Sequence, residues 1–72
     1  MKKETLQEFV KKMRKDTGLT QIELSEKAGV GLRFIRELEQ GKPTLRMDKV
    51  NNVLILFGSE LGPTDIDRSK LL

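Results

Sequence analysis

The sequence predicts an all-α domain of four helices followed by a short C-terminal β-strand or extended tail. Three observations predict it. Apolar residues recur at helical spacing in four separate stretches. A threonine with a glutamate three residues later marks the start of the second stretch. A glycine stands just past each stretch, at Gly18, Gly29, Gly41 and Gly58. The helical part spans residues 1–58 and the tail 59–72, with no internal repeat and no low-complexity segment.

In the first stretch Leu6, Phe9, Val10 and Met13 follow the i, i+3, i+4, i+7 pattern of one helix face, so a helix is expected over about 4–15 with Gly18 beyond its end. Thr20 and Glu23 form a capping box, which starts a second helix at Gln21 and carries it to about Ala28, with Leu24 and Ala28 inward. Gly29 ends that helix because a sharp turn needs a positive φ, which glycine adopts without steric cost. A third helix over about 31–40 shows Leu32, Ile35 and Leu38 at every third position. Pro43 then enforces a connection. A fourth helix over about 46–57 has Leu45, Val50, Val53, Leu54 and Phe57 on its apolar side. Its run Val53-Leu54-Ile55-Leu56-Phe57 is apolar all round, which predicts burial on more than one side. Beyond it, the alternation at Ser59-Glu60-Leu61 and the isolated Ile66 suggest a short edge strand around 59–66 and a loose end.

Composition narrows the function. The 72 residues hold 14 Lys and Arg against 11 Asp and Glu, a net charge of +3, with no His and no Cys. Lack of cysteine removes disulfides, thiolate zinc sites and thiol nucleophiles, and lack of histidine removes the usual general base and the commonest metal ligand. An enzyme is therefore not expected, nor a metal or cofactor, and a binding module is. The longest apolar run is far too short to span a bilayer. The basic N-terminus is followed by no apolar h-region, so no signal peptide is expected and the setting is read as cytoplasmic and nucleoid-associated. A core of this size supplies only about 3–5 kcal/mol, so a partner chain would help it.

The charge is concentrated in residues 1–16, at +3, and 31–46, at +2, while 17–30 and 47–72 each sum to −1. Such an excess favours nucleic acid only weakly, and Lys2, Lys3, Lys11, Lys12 and Lys15 read equally well as a solvated helix face. The order helix, tight turn, helix says more. A helix fits the major groove of B-DNA, and presenting one requires a second helix held across it by a short turn. Small or apolar residues at the crossing (Leu24, Ser25, Ala28), a turn glycine (Gly29) and a core plug (Val30) meet that requirement. So does a following helix with Ile35 and Leu38 inward and Arg33, Arg36 and Glu37 outward.

The stretch Leu19-Thr20-Gln21-Ile22-Glu23-Leu24-Ser25-Glu26-Lys27-Ala28-Gly29-Val30, continued by Ile35, Leu38, Glu39 and Gly41, resembles the helix-turn-helix of the phage-repressor/Cro (XRE) family, over roughly residues 5–58. The segments 31–46 and 56–62 are similar to HipB-like antitoxins. The resemblance implies a small lambda-repressor-like helix-turn-helix domain. Two departures stand out: Ser25 where the family has alanine, and Gly31 where a serine or threonine usually caps the recognition helix.

By resemblance Leu32, Arg33, Arg36 and Glu37 occupy the base-reading face. Arg33 suits guanine O6 and N7, and Glu37 either accepts from cytosine N4 or orients an arginine. Gln21, at the start of the second helix, and Gly31, Gln40, Lys42 and Arg46 fall where backbone phosphate is bound. Glu39 corresponds to a glutamate that pairs with a basic residue of the first helix, here Arg14, as a structural pair. Phe34 is assigned to packing rather than base contact. One helix reads few base pairs, so the family implies a homodimer on two-fold symmetric double-stranded DNA, with half-sites about 34 Å apart. Ile55, Leu56, Leu61 and Ile66 exceed what one small core needs and are the expected isologous interface; the other reading of Ile55 and Leu56 is that they complete the monomer core. Three functions follow: a repressor that is also the antitoxin of a HipA-like kinase toxin, a stand-alone Cro-type regulator, or a protein-interaction module that uses Arg33 and Arg36 on an acidic partner.

Overall fold

The computed structural model describes residues 4–65, and four helices follow one another in this span: α1 (Leu6–Asp16), α2 (Gln21–Ala28), α3 (Leu32–Glu39) and α4 (Met47–Ile55). Each lies within two residues of its expected bounds: α2 matches them, α3 and α4 are a little shorter at both ends, and α1 starts two residues later and ends one later.

Local chemistry explains the boundaries. Thr5 caps α1, its hydroxyl accepting from the Glu8 N–H at 3.3 Å. At α2 the capping box is complete: Thr20 Oγ1 accepts from the Glu23 N–H at 3.1 Å, and Glu23 Oε1 accepts from the Thr20 N–H at 2.9 Å. These bonds hold the Glu23 carboxyl below its ordinary range, the Thr20 backbone N–H being the larger cause and its hydroxyl the next. By contrast α3 starts at Gly31 with no side-chain cap. All four helices close alike: an amide just past the end reaches back across five residues, as in Leu19 to Arg14, Val30 to Ser25, Lys42 to Glu37 and Ser59 to Leu54, each at 3.0 Å. At α2 the closing residue is Gly29, with φ +69°, so residues 29–31 suffice to turn the chain into α3.

Each helix contributes to one core. Val10 of α1, Leu24 of α2, Ile35 and Leu38 of α3, and Val50, Val53 and Leu54 of α4 are buried, and Leu6, Phe9, Leu19, Val30, Phe34 and Leu45 pack around them. Helix α3 packs on both α1 and α2, and α4 on α2. Ser25 is buried too, its hydroxyl donating to the Ile22 carbonyl at 2.7 Å, so the hydroxyl that serine adds to an alanine side chain is accommodated without an unpaired polar group.

Two expectations are corrected. The fourth helix is not buried on more than one side: Ile55 is 64% and Leu56 43% exposed, because the buried residues of α4 are confined to the Val50, Val53 and Leu54 stripe. Nor does a strand form among the described residues of the tail. Residues 59–65 run without regular structure, since alternation makes a strand only where a partner strand supplies the ladder. What holds this segment is Leu61, which packs against the core while its N–H donates to Asn51 Oδ1 of α4 at 2.8 Å.

The turn at Gly29 gives a direct test. An added Cβ would meet nothing within 4 Å, so only the backbone conformation opposes a side chain there. Gly29→Ala is expected to lower unfolding stability by about 1–2 kcal/mol, and Gly29→Asn by less, because asparagine tolerates the left-handed region. Urea denaturation of the two variants measures both, and equal losses would contradict a conformational cause.

Candidate nucleic-acid interface

The exposed side of α3 begins at Gly31 and carries Arg33 and Arg36 in solvent, one helical turn apart, with Ile35 and Leu38 anchoring the opposite side in the core. Leu32 is half-buried beside them. Phe34 packs against the core, and Lys49 Nζ of α4 stands 6.0 Å from its ring centroid. That distance is within cation–π reach, so Phe34 belongs to the α3–α4 contact.

Beneath this surface lies a buried ion pair. Arg14 Nε and Nη2 donate to Glu39 Oε2 and Oε1 at 2.6 and 3.0 Å, and Nη1 donates to the Leu19 carbonyl at 3.0 Å. The Glu39 side chain is 2% exposed and that of Arg14 13%. The Glu39 hydrogen bond raises the already high pKa of the guanidinium. Glu39 Oε1 also accepts from Gln21 Nε2 at 3.2 Å. Gln21, expected at phosphate, is therefore half-buried and fixed from below, with one amide hydrogen committed inside the protein. The Glu39 carboxylate thus ties the end of α3 to α1 and to the first residue of α2, and Arg14 extends the link to the loop before α2. Among the described residues no buried side-chain polar atom lacks a partner.

The expected phosphate ligands after α3 behave differently from one another. Gln40 is exposed at the helix end. Lys42 Nζ binds Glu37 Oε2 at 2.6 Å. Arg46 Nε and Nη2 grip Asp48 at 3.1 and 2.7 Å. Each carboxyl is held below its ordinary range, Glu37 chiefly by the Lys42 hydrogen bond and Asp48 chiefly by that of Arg46. Both cations of the 42–46 connection are therefore matched by a carboxylate of the same chain, whereas among the described residues neither Arg33 nor Arg36 has a hydrogen-bonded carboxylate. Sequence reasoning missed these pairings, and also the anchor at Asn51.

The expected dimer residues fall at the other end of the chain. Ile55 and Leu56 are exposed at the end of α4, while Leu61 is half-buried in the chain's own packing. Ile66 lies outside the described residues.

A two-helix unit with a glycine corner, an outward-facing basic helix and a buried Arg–Glu clamp is what groove docking demands. The helix-turn-helix family matches residues 10–62, which hold all of α2, α3 and α4. The chain belongs to the XRE-type helix-turn-helix family. Over 53 residues it is 50% identical to y4mF, an uncharacterized HTH-type transcriptional regulator of Sinorhizobium fredii, an overlap that covers 74% of this chain and 70% of the relative. In this helix-turn-helix protein no described helix is long and apolar enough to cross a membrane.

The clamp has a measurable weight. Arg14→Met leaves the Glu39 carboxylate buried with Gln21 as its remaining side-chain donor, and unfolding stability is expected to fall by about 3–5 kcal/mol. Replacing both partners, Arg14→Met with Glu39→Leu, should recover most of that loss, since no stranded charge remains. Chemical denaturation of the single and double variants decides the matter, and a double variant as unstable as the single one would show that lost packing, not stranded charge, is responsible.

Proposed function

We propose that this helix-turn-helix transcriptional regulator is a dimeric, sequence-specific repressor and the HipB-like antitoxin of a toxin–antitoxin operon, neutralising a HipA-like kinase and repressing its own operon. The observation that carries the DNA part is the exposed basic side of α3, held on a core-anchored helix by a buried clamp. Arg33 is the principal base reader, because two parallel N–H groups fit the paired acceptors of guanine. Arg36 reads a neighbouring base or binds phosphate, Leu32 contacts a thymine methyl, and Gly31 and Gln40 lie against the backbone. Lys42 and Arg46 bind phosphate by exchanging a carboxylate for it.

Dimerisation rests on the apolar surface that α4 leaves uncovered. Ile55 and Leu56 would be an unrewarded cost on a monomer and are suited to an isologous contact across a two-fold axis. Pairing two copies of α3 in this way gives half-sites about one helical turn apart. The antitoxin assignment is supported by the likeness of segments 31–46 and 56–62 to HipB-like chains, and it is decided by the neighbouring gene. Co-expression with a kinase-like neighbour and co-purification of the two products supports it, whereas a stand-alone regulator has no such companion.

Two measurements test the DNA and dimer readings. Arg33→Ala is expected to cost about 1–3 kcal/mol on the cognate site and to relax preference at one base pair; unchanged binding to every site variant would remove Arg33 from base reading. Ile55→Asp should shift the light-scattering mass toward one chain and weaken operator binding with α3 untouched. A wild-type mass of one chain at micromolar concentration would refute the dimer.

A further inference from the structure

Glu37 is the one carboxylate on the exposed side of α3, the side that the DNA reading turns toward the groove. Against a polyanion a carboxylate there is a liability unless something compensates it. The structure shows what does so in the absence of DNA. The closing bond of α3, from the Lys42 N–H to the Glu37 carbonyl at 3.0 Å, folds the chain back so that residue 42 lies over residue 37. The Lys42 ammonium then binds Glu37 Oε2 at 2.6 Å. Arg33, one turn earlier on the same side, adds its charge to the field at Glu37. Lys42 is half exposed and Glu37 a quarter exposed, so the pair lies at the protein surface, where a ligand can open it.

We infer that Glu37 is a specificity-determining residue that acts through Lys42, an inference that rests on the DNA-binding reading above. On DNA of the wrong sequence the carboxylate keeps the ammonium, and the complex forgoes one phosphate contact. Where a base pair presents an exocyclic amino group to Glu37, cytosine N4 or adenine N6, that donor takes over the carboxylate and Lys42 passes to backbone phosphate. One base-edge contact is thereby coupled to one phosphate contact. A matched sequence gains both and gives up the Glu37–Lys42 pair, while a mismatched one gains neither, so the phosphate contact is made only where the base contact is made. The same carboxylate opposes indiscriminate binding, a repulsive element of the kind that specificity requires.

A cycle of Glu37→Gln and Lys42→Gln, separately and combined, tests this. The wild-type protein is first used to select a site from a pool of randomised duplexes, and each variant is then titrated against the selected duplex and a random-sequence duplex across a salt series. Glu37→Gln should bind random duplex about tenfold more tightly and steepen its log–log salt slope by about 0.9, the signature of one added phosphate contact. The ratio of selected to random affinity should fall. Lys42→Gln should change random binding less than about twofold in the wild-type background, and reduce it severalfold in the Glu37→Gln background. An unchanged ratio and slope in Glu37→Gln would overturn the inference, as would equal losses from Lys42→Gln in both backgrounds on random duplex. Failure of the wild-type protein to select any site would overturn the DNA-binding reading and this inference with it.

Discussion

The buried contact between Arg14 and Glu39 is the constraint on which the rest of the molecule depends. Three guanidinium N–H groups and one carboxylate join α1, the α1–α2 loop, the start of α2 and the end of α3. Hydrophobic burial brings these elements together but has no direction. The clamp supplies direction, because a bidentate Arg–carboxylate pair tolerates only a narrow range of approach. It sits directly beneath the surface that α3 presents, so the position of Arg33 and Arg36 relative to α2 is set by a group that never leaves the interior.

Charge is handled differently on the outer surface. Lys42 and Arg46 are each matched to a carboxylate of their own chain at 2.6 and 2.7 Å. Such exposed pairs contribute little to stability. Their effect is on association: a cation that must exchange one anion for another gains less from a phosphate than a bare one does. On the DNA-binding reading proposed above, this lowers the sequence-independent attraction that dominates non-specific binding and leaves Arg33 and Arg36 a larger share of the contact. A net charge of only +3 is consistent with a surface tuned in this way.

What was legible in the sequence is what short-range chemistry dictates. Thr20 and Glu23 are three residues apart and need only each other, and Gly29 betrays a left-handed corner by its type alone, so α2 and the turn were readable to the residue. The inward side of α3 followed from its period. The Glu37–Lys42 pair was not legible, because five residues separate the partners and only the backbone return at Gly41, with φ +83°, brings them together. The bond from Gln21 to Glu39 spans 18 positions and exists only once α2 and α3 have docked. The tail misled for a related reason: Ser59-Glu60-Leu61 alternates as a strand does, while a strand also requires a neighbour that the pattern does not contain. Likewise the run 53–57 is apolar throughout, and which of its sides is covered depends on how few helices surround it.

Helices α2 and α3 have eight residues each, and α3 begins without a side-chain cap. Segments so short have almost no helical tendency in isolation. The docking probe therefore has no existence apart from the packed domain and melts in the same cooperative step as the core. An opening that detaches α1 deprives Glu39 of its cation and dissolves the probe at once. On the DNA-binding reading proposed above, a protease that captures this transient state by cutting within α1 would thus erase the regulator's grip on its target while leaving the exposed side of α3 uncut.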